Sequence, residues 1–270
     1  MFRDKHPLHL KMVLGNLVSQ YAGENTLMST KRNPQANSIL SAPVAPVPEP
    51  IPAPWNNLKG WGYISTYKPD KEWLMDCAGL SDWEKDHYAG GPAVTMLVRY
   101  TNAECGPYDE LLCMMGRFRT NRGVFPRIHR IWVSTHESIA GGRYNWANAK
   151  QLGQFSINEI QNGLSASVES DSGRVDLVYK RPRFALKFPV TTALSTKKMR
   201  LIANDTLPEQ QRPEPFCYSE PRAKGWCTLA KLESFRSENQ MLPDLGSQKH
   251  LLSVKAAPFK LAFPKAEFGD

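Results

Sequence analysis

Glu137-Ser138-Ile139-Ala140-Gly141-Gly142-Arg143-Tyr144-Asn145-Trp146-Ala147-Asn148-Ala149-Lys150-Gln151-Leu152 is the stretch from which the rest of the chain is best read. Its glycine pair reads as a turn, and Arg143 through Leu152 reads as a helix. Residues four apart on a helix share a face, which sets Trp146 one turn before Lys150. A lone lysine near a helix end is ordinarily a solvated cation; this one has an indole available as one apolar wall.

Outward from this stretch the pattern is mainly strands. Arg127–Thr135 has strand character, and Ala93–Tyr100 and Tyr108–Phe118 flank a Gly-Pro turn as a hairpin. The second arm opens on Gly106-Pro107-Tyr108-Asp109-Glu110-Leu111-Leu112. Alternation puts Tyr108, Glu110, Leu112 and Met114 on one face. An acid on so apolar a face has either a partner or a job. Trp61–Tyr67 is strand-like, and residues 70–88 form a short helical excursion with Trp73, Leu74 and Trp83 to pack. Ser165–Ser170 and Arg174–Tyr179 pair around the turn Asp171-Ser172-Gly173. Further strands fall near residues 184–190, 198–203, 226–235 and 250–263. The fold class is therefore α+β, mainly β: a curled or closed antiparallel sheet with a few short helices.

The N-terminal region is different. Residues 1–53 form an extension, with a short amphipathic helix over 8–21 and a proline-rich segment over 42–54 that excludes helix. The globular domain runs from 54 to 270.

The two quoted regions resemble the signature regions of the acetoacetate decarboxylase superfamily. There an acid follows a tyrosine on one strand, and a later segment supplies a Schiff-base lysine. Ala140-Gly141-Gly142-Arg143, Trp146, Lys150 and Leu152 align with that segment without a gap. Pro54-Trp55-Asn56-Asn57-Leu58-Lys59-Gly60 resembles the opening of fungal members. The resemblance is good over about residues 54–155 and fades afterwards, and it implies an acetoacetate-decarboxylase-like β-barrel over 54–270. It implies Lys150 and Glu110 as catalytic residues and Arg143, Tyr108 and Trp146 as substrate-binding residues, with no cofactor and no metal. It also implies a homo-oligomer. Two positions depart from the family: Ala149 stands where a proline is usual, and Gln151 where a second lysine is usual.

A lysine amine attacks a ketone only as the free base, and an ordinary lysine, with pKa about 10.4, is almost wholly protonated near neutrality. Burial or a neighbouring cation favours the free base. With Gln151 in place of a lysine, desolvation has to do more of that work. The protonated imine then accepts the electron pair released when a carboxylate leaves or an α-proton is removed. Glu110 is suited to orient the substrate or to carry the proton that the enamine needs. Arg143 suits a substrate carboxylate, although a structural salt bridge or loop hydrogen bond is the commoner fate of such an arginine. His129 and His136 read as structural. Three functions remain open: decarboxylation of a β-keto acid, aldol, dehydration or cyclisation chemistry on a polyketide-like carbonyl compound of secondary metabolism, and non-catalytic binding of a small ligand.

Composition sets the outer bounds. The net charge is +8, and Arg174 to Arg200 holds eight basic residues against Asp176 alone. No nucleic-acid motif accompanies the charge, so nucleic acid is not expected as a partner; the resemblance implies a small carbonyl compound instead, and an anionic one is compatible with the basic excess. Five cysteines without CxxC spacing argue against zinc and against a disulfide framework. No apolar run is long enough for a membrane helix or a secretory leader, which makes a cytoplasmic protein the expectation.

Overall fold

The computed structural model describes residues 48–239 and 241–270. The helix expected over 8–21 and residues 42–47 of the proline-rich segment lie outside the described residues.

The hairpin carries the expected alternation. Strand β2 (Ala93–Asn102) pairs with β3 (Tyr108–Met114), placing Tyr100 opposite Tyr108 and Val98 opposite Glu110. One face of this hairpin, through Leu97 and Leu111, joins the main core with Tyr63, Trp132, Val168 and Tyr179. The other face, through Val98, Tyr100 and Tyr108, joins a second core with Trp55, Leu58, Val133, Ile139 and Trp146. Both faces are covered, which is why so much of β3 is buried. It ends at Met114; Gly116, at φ 114°, turns the chain before β4 (Arg117–Thr120), so the expected strand to Phe118 is broken in two.

The large sheet also contains β1 (Trp55–Lys68), β6 (Arg130–Val133), β7 (Gln151–Leu152), β8 (Gln154–Ile160), β9 (Gly163–Ser170) and β10 (Gly173–Lys180). It is completed by β11 (Lys187–Thr191), β14 (Arg222–Glu238) and β15 (Lys249–Phe263). Their order is β7-β6-β3-β2-β1-β15-β14-β10-β9-β8, with β11 also on β14. Strands β7 and β8, at the two ends of that order, are consecutive in the chain across Gly153, whose N–H donates to Val133 O at 2.9 Å. The sheet thereby curls almost onto itself as a barrel. The described pairings are antiparallel except β6 with β7. A small sheet of β12 (Ile202–Asp205), β13 (Phe216–Ser219) and β16 (Glu267–Gly269) lies beside it, and β5 (Gly123–Pro126) pairs with β4.

The helices are short, as expected: α1 (Lys71–Cys77), α2 (Asp82–His87), α3 (His136–Trp146) and α4 (Lys197–Arg200). Helix α2 starts with a capping box in which the Ser81 hydroxyl accepts from Glu84 N and the Glu84 carboxylate accepts from Ser81 N. Helix α3 corrects the reading of the opening stretch. It begins at His136, contains the glycine pair and stops at Trp146, so Lys150 lies beyond it. Thr135 caps its start by accepting from Ser138 N, and Ala147 ends it in the left-handed conformation at φ 52°. The glycines sit inside the helix because a Cβ at Gly141 would lie 2.4 Å from the Trp55 ring. One at Gly142 would lie 2.6 Å from Lys150 Cδ and Cε.

Candidate active site

Helix α3 lies against the second core, and the loop after it returns the chain to β7 beside β6. Lys150 is the last residue of that loop. Its N–H donates to Asn148 O at 2.6 Å, and its carbonyl accepts from Arg143 Nη1 at 3.3 Å. The side-chain stem runs back along Gly142. The amine ends between two acceptors: Glu110 Oε2 at 2.9 Å and Ser138 Oγ at 2.9 Å. It also stands over the face of the Tyr108 ring, 4.8 Å from the centroid. Lys150 is 4% exposed and Glu110 5%.

The tyrosines complete the surround. Tyr100 OH donates to Glu110 Oε1 at 3.3 Å, and the Tyr100 and Tyr108 rings lie 4.5 Å apart. Burial, and secondarily the Glu110 charge, push both phenols well above their ordinary range, so both are protonated donors near neutral pH. Burial likewise pushes the nearby Cys105 thiol up to about 11, which removes it as a nucleophile.

Of the residues singled out from sequence, Lys150, Glu110 and Tyr108 meet at one point. Arg143 and Trp146 act on the segment that carries the lysine. Arg143 pairs with Glu209 and holds the Lys150 carbonyl. Trp146 is buried between Trp55 and Phe263, with ring centroids 5.0 and 5.1 Å away, and its indole N–H donates to Pro264 O at 2.8 Å. Since α3 ends at Trp146, the helical spacing that would align it with Lys150 does not apply. The His129 side chain is 5% exposed and is bonded to Ala78 O and paired with Glu84. The basic run from Arg174 is partly neutralised: Arg174 pairs with Glu169 and Asp176, and Arg200 with Glu220.

Sequence reasoning missed Ser138 and Tyr100. Tyr100 was available from the hairpin register, because a strand position directly opposite Tyr108 shares its face. Ser138 gave no such signal, because it falls within what reads as a turn. Two surface clefts, of about 330 Å³ beside Tyr67 and His250 and about 290 Å³ beside Tyr144 and Arg212, are lined by none of Lys150, Glu110, Ser138 or Tyr108. The amine is instead enclosed, and the chemistry of its neighbours marks this place more strongly than the hollows do.

Residues 88–184 match the acetoacetate decarboxylase family model. No curated protein sequence matches the chain significantly. Among solved structures the chain is similar to an acetoacetate decarboxylase from Legionella pneumophila, with a TM-score of 0.58 and 14% identity over 90% of this chain and 98% of that one. A second acetoacetate decarboxylase gives a TM-score of 0.54 and 14% identity over 80% and 89%. The enduracididine biosynthesis enzyme MppR, in complex with pyruvate, gives 0.53 and 14% over 81% and 91%. These likenesses establish an acetoacetate-decarboxylase-like fold. No described helix is long and apolar enough to cross a membrane.

Proposed function

We propose, from the premise that this is an acetoacetate-decarboxylase-like barrel, that the chain is a cofactor-independent enzyme that forms an imine between Lys150 and a small carbonyl substrate. The observation that carries the reading is the buried amine held 2.9 Å from a buried carboxylate. In place of a neighbouring cation, Glu110 provides somewhere for the ammonium proton to go: the proton moves to the carboxylate and leaves the free base. Both groups are buried, so the transfer runs directly between side chains 2.9 Å apart rather than through bulk solvent.

The reaction we favour is decarboxylation of a β-keto acid larger than acetoacetate. The amine adds to the ketone and water leaves, giving a protonated imine. The bond to the carboxylate breaks, its electron pair enters the imine to form an enamine, and carbon dioxide departs. Protonation at carbon, with Glu110 placed to carry the proton, and hydrolysis then release the ketone and Lys150. With the amine so enclosed, substrate entry requires the side chains above it to move.

A second reading keeps the imine but uses the enamine as a carbon nucleophile in an aldol, dehydration or cyclisation reaction. The pyruvate bound to MppR supports it, since pyruvate offers a ketone and an acidic methyl group to such chemistry. Borohydride reduction with a panel of β-keto acids and 2-oxo acids, followed by mass mapping, tests the common step. Carbon dioxide release separates the two reactions. Failure of every carbonyl compound to label Lys150 would leave a non-catalytic binding barrel.

A further inference from the structure

The cleft of about 290 Å³ beside Tyr144 and Arg212 is built from parts that the candidate active site does not use. Its walls are set by hydrogen bonds to the backbone. Asn145 Nδ2 donates to Ile51 O at 2.8 Å and its Oδ1 accepts from Ala53 N at 2.9 Å, which ties the segment before β1 to helix α3. Gln210 Nε2 donates to Tyr144 O at 2.9 Å, and its Oε1 accepts from Leu207 N at 3.0 Å. Two rings belong to the lining: Tyr144, 52% exposed, and Phe268 of β16. Its only charged residues are both cations, Arg212 and Lys265. The acids that flank this lining in sequence are held elsewhere: Glu209 pairs with Arg143, and Glu267 with Lys197 and Arg122. Among the described residues, neither Arg212 nor Lys265 forms an ion pair. Arg212 lies instead over the Phe268 ring, 4.8 Å from the centroid.

We infer that this cleft is a second ligand site, separate from Lys150, for a small organic carboxylate with a flat apolar body. Two cations in one concave place, with no acid to compensate them, raise the local concentration of anions. A guanidinium stacked by its face on a ring keeps its N–H edge free, and that edge matches a carboxylate with two parallel hydrogen bonds. Lys265 adds a point charge to the same hollow. The Tyr144 and Phe268 rings supply apolar area for a body that an inorganic anion does not have. A preset hollow with a few convergent polar groups is the general form of a small-molecule site. Its volume lies at the low end of the roughly 300–1,000 Å³ that such sites span, which suits a single ring with its carboxylate. The cleft shares no lining residue with Lys150, Glu110, Ser138 or Tyr108, so its occupancy stands apart from the imine reading.

The test titrates the full chain against 4-fluorobenzoate, followed by fluorine NMR, with 4-fluorobenzamide and inorganic phosphate for comparison. The carboxylate should bind saturably, the amide should not, and phosphate at equal concentration should not displace the carboxylate. Arg212→Gln should weaken binding about tenfold, the worth of a lost charge-assisted pair. Arg212→Lys, which keeps the charge but not the fork, should recover only part of that loss, and Tyr144→Ala should weaken binding by removing a wall. Arg212 and Lys265 are exposed, so melting temperatures should not move in Arg212→Gln or Lys265→Gln. Imine trapping at Lys150 should be the same in Arg212→Gln as in the wild type. Absence of saturable binding, equal binding of the amide, or displacement by phosphate would overturn the inference. So would binding that Arg212→Gln leaves intact, which would put the guest elsewhere, or a change in trapping, which would make the cleft part of the Lys150 site.

Discussion

Lys150 Nζ and Glu110 Oε2 lie 2.9 Å apart, with side chains 4% and 7% exposed, so each charge depends on the other for its place in the core. Removing one partner strands a buried charge, at a cost of about 3–5 kcal/mol. Lys150→Ala should abolish imine trapping and lower the denaturation midpoint, and adding Glu110→Gln should recover some of the stability without recovering trapping. Chemical denaturation with trapping on the same samples checks both. A double variant no more stable than the single would show that the pair is not what Lys150→Ala disturbs.

The adjacent glycines of α3 should fail differently when each is changed to alanine. A Cβ at Gly141 meets the Trp55 ring, which is anchored in the core, whereas one at Gly142 meets the flexible stem of Lys150. Gly141→Ala should therefore cost about 1–3 kcal/mol through overpacking. Gly142→Ala should cost less stability, but should displace the amine and depress imine trapping by about a hundredfold, the penalty of an ångström-scale misplacement. Thermal melts and borohydride trapping compared across the two variants decide; the reverse pattern would contradict the packing.

Stability should fall steeply in acid because of Glu84. Burial alone would raise its pKa, but the hydrogen bond and charge of His129, the Arg127 guanidinium and the Ser81 N–H outweigh it and hold the carboxyl at about 2 rather than 4.5. A depressed folded value means stabilisation that is present above the unfolded pKa and lost as pH drops through the folded one. The window is therefore about pH 4.5 down to 2, and the loss is of order 3 kcal/mol. Glu84→Gln should flatten this acid limb in urea melts taken between those values. An unchanged limb would assign acid sensitivity elsewhere.

Free acetoacetate should be a poor substrate. Gln151 follows the lysine where the family has a second lysine, and here it enters β7 opposite Trp132. Ala149 replaces the proline. A direct comparison of acetoacetate with longer or aromatic β-keto acids, followed by carbon dioxide release, should favour the latter. Acetoacetate turnover at ordinary enzyme rates, about 10 per second, would restore the simpler assignment.

What the chain reveals before folding is set by local periodicity. The alternation that put Tyr108 and Glu110 on one face is intrinsic to a strand, and the turn at Asp171-Ser172-Gly173 needs only its own residues; β9 and β10 pair around it, with Ser170 opposite Gly173. The boundary of α3 was not legible, because a glycine pair ordinarily ends a helix. Its presence inside one is explained only by Trp55 and by Lys150, which the chain brings in from outside the helix. Ser138 was hidden for the same reason: its role depends on a partner twelve residues later that arrives through a left-handed turn at Ala147. Strand 198–203 was displaced because Lys197–Arg200 closes as one helical turn and the strand starts at Ile202.

The polar groups around the amine, Glu110 and Ser138 each 2.9 Å from Nζ and Tyr100 bonded to Glu110, also sort visitors. An open site would leave a donor or acceptor waiting for any guest, whereas this one offers nothing until a bond within it is surrendered. A hydrocarbon of the right size would have to separate a bonded pair and leave both groups bare, at roughly 1–3 kcal/mol for each stranded group. A carbonyl compound gives back what it takes, since its oxygen accepts where Lys150 Nζ has turned away from Ser138. On the imine reading, selection for oxygenated guests is thus exercised at entry, ahead of any covalent step, by the side chains that hold the amine.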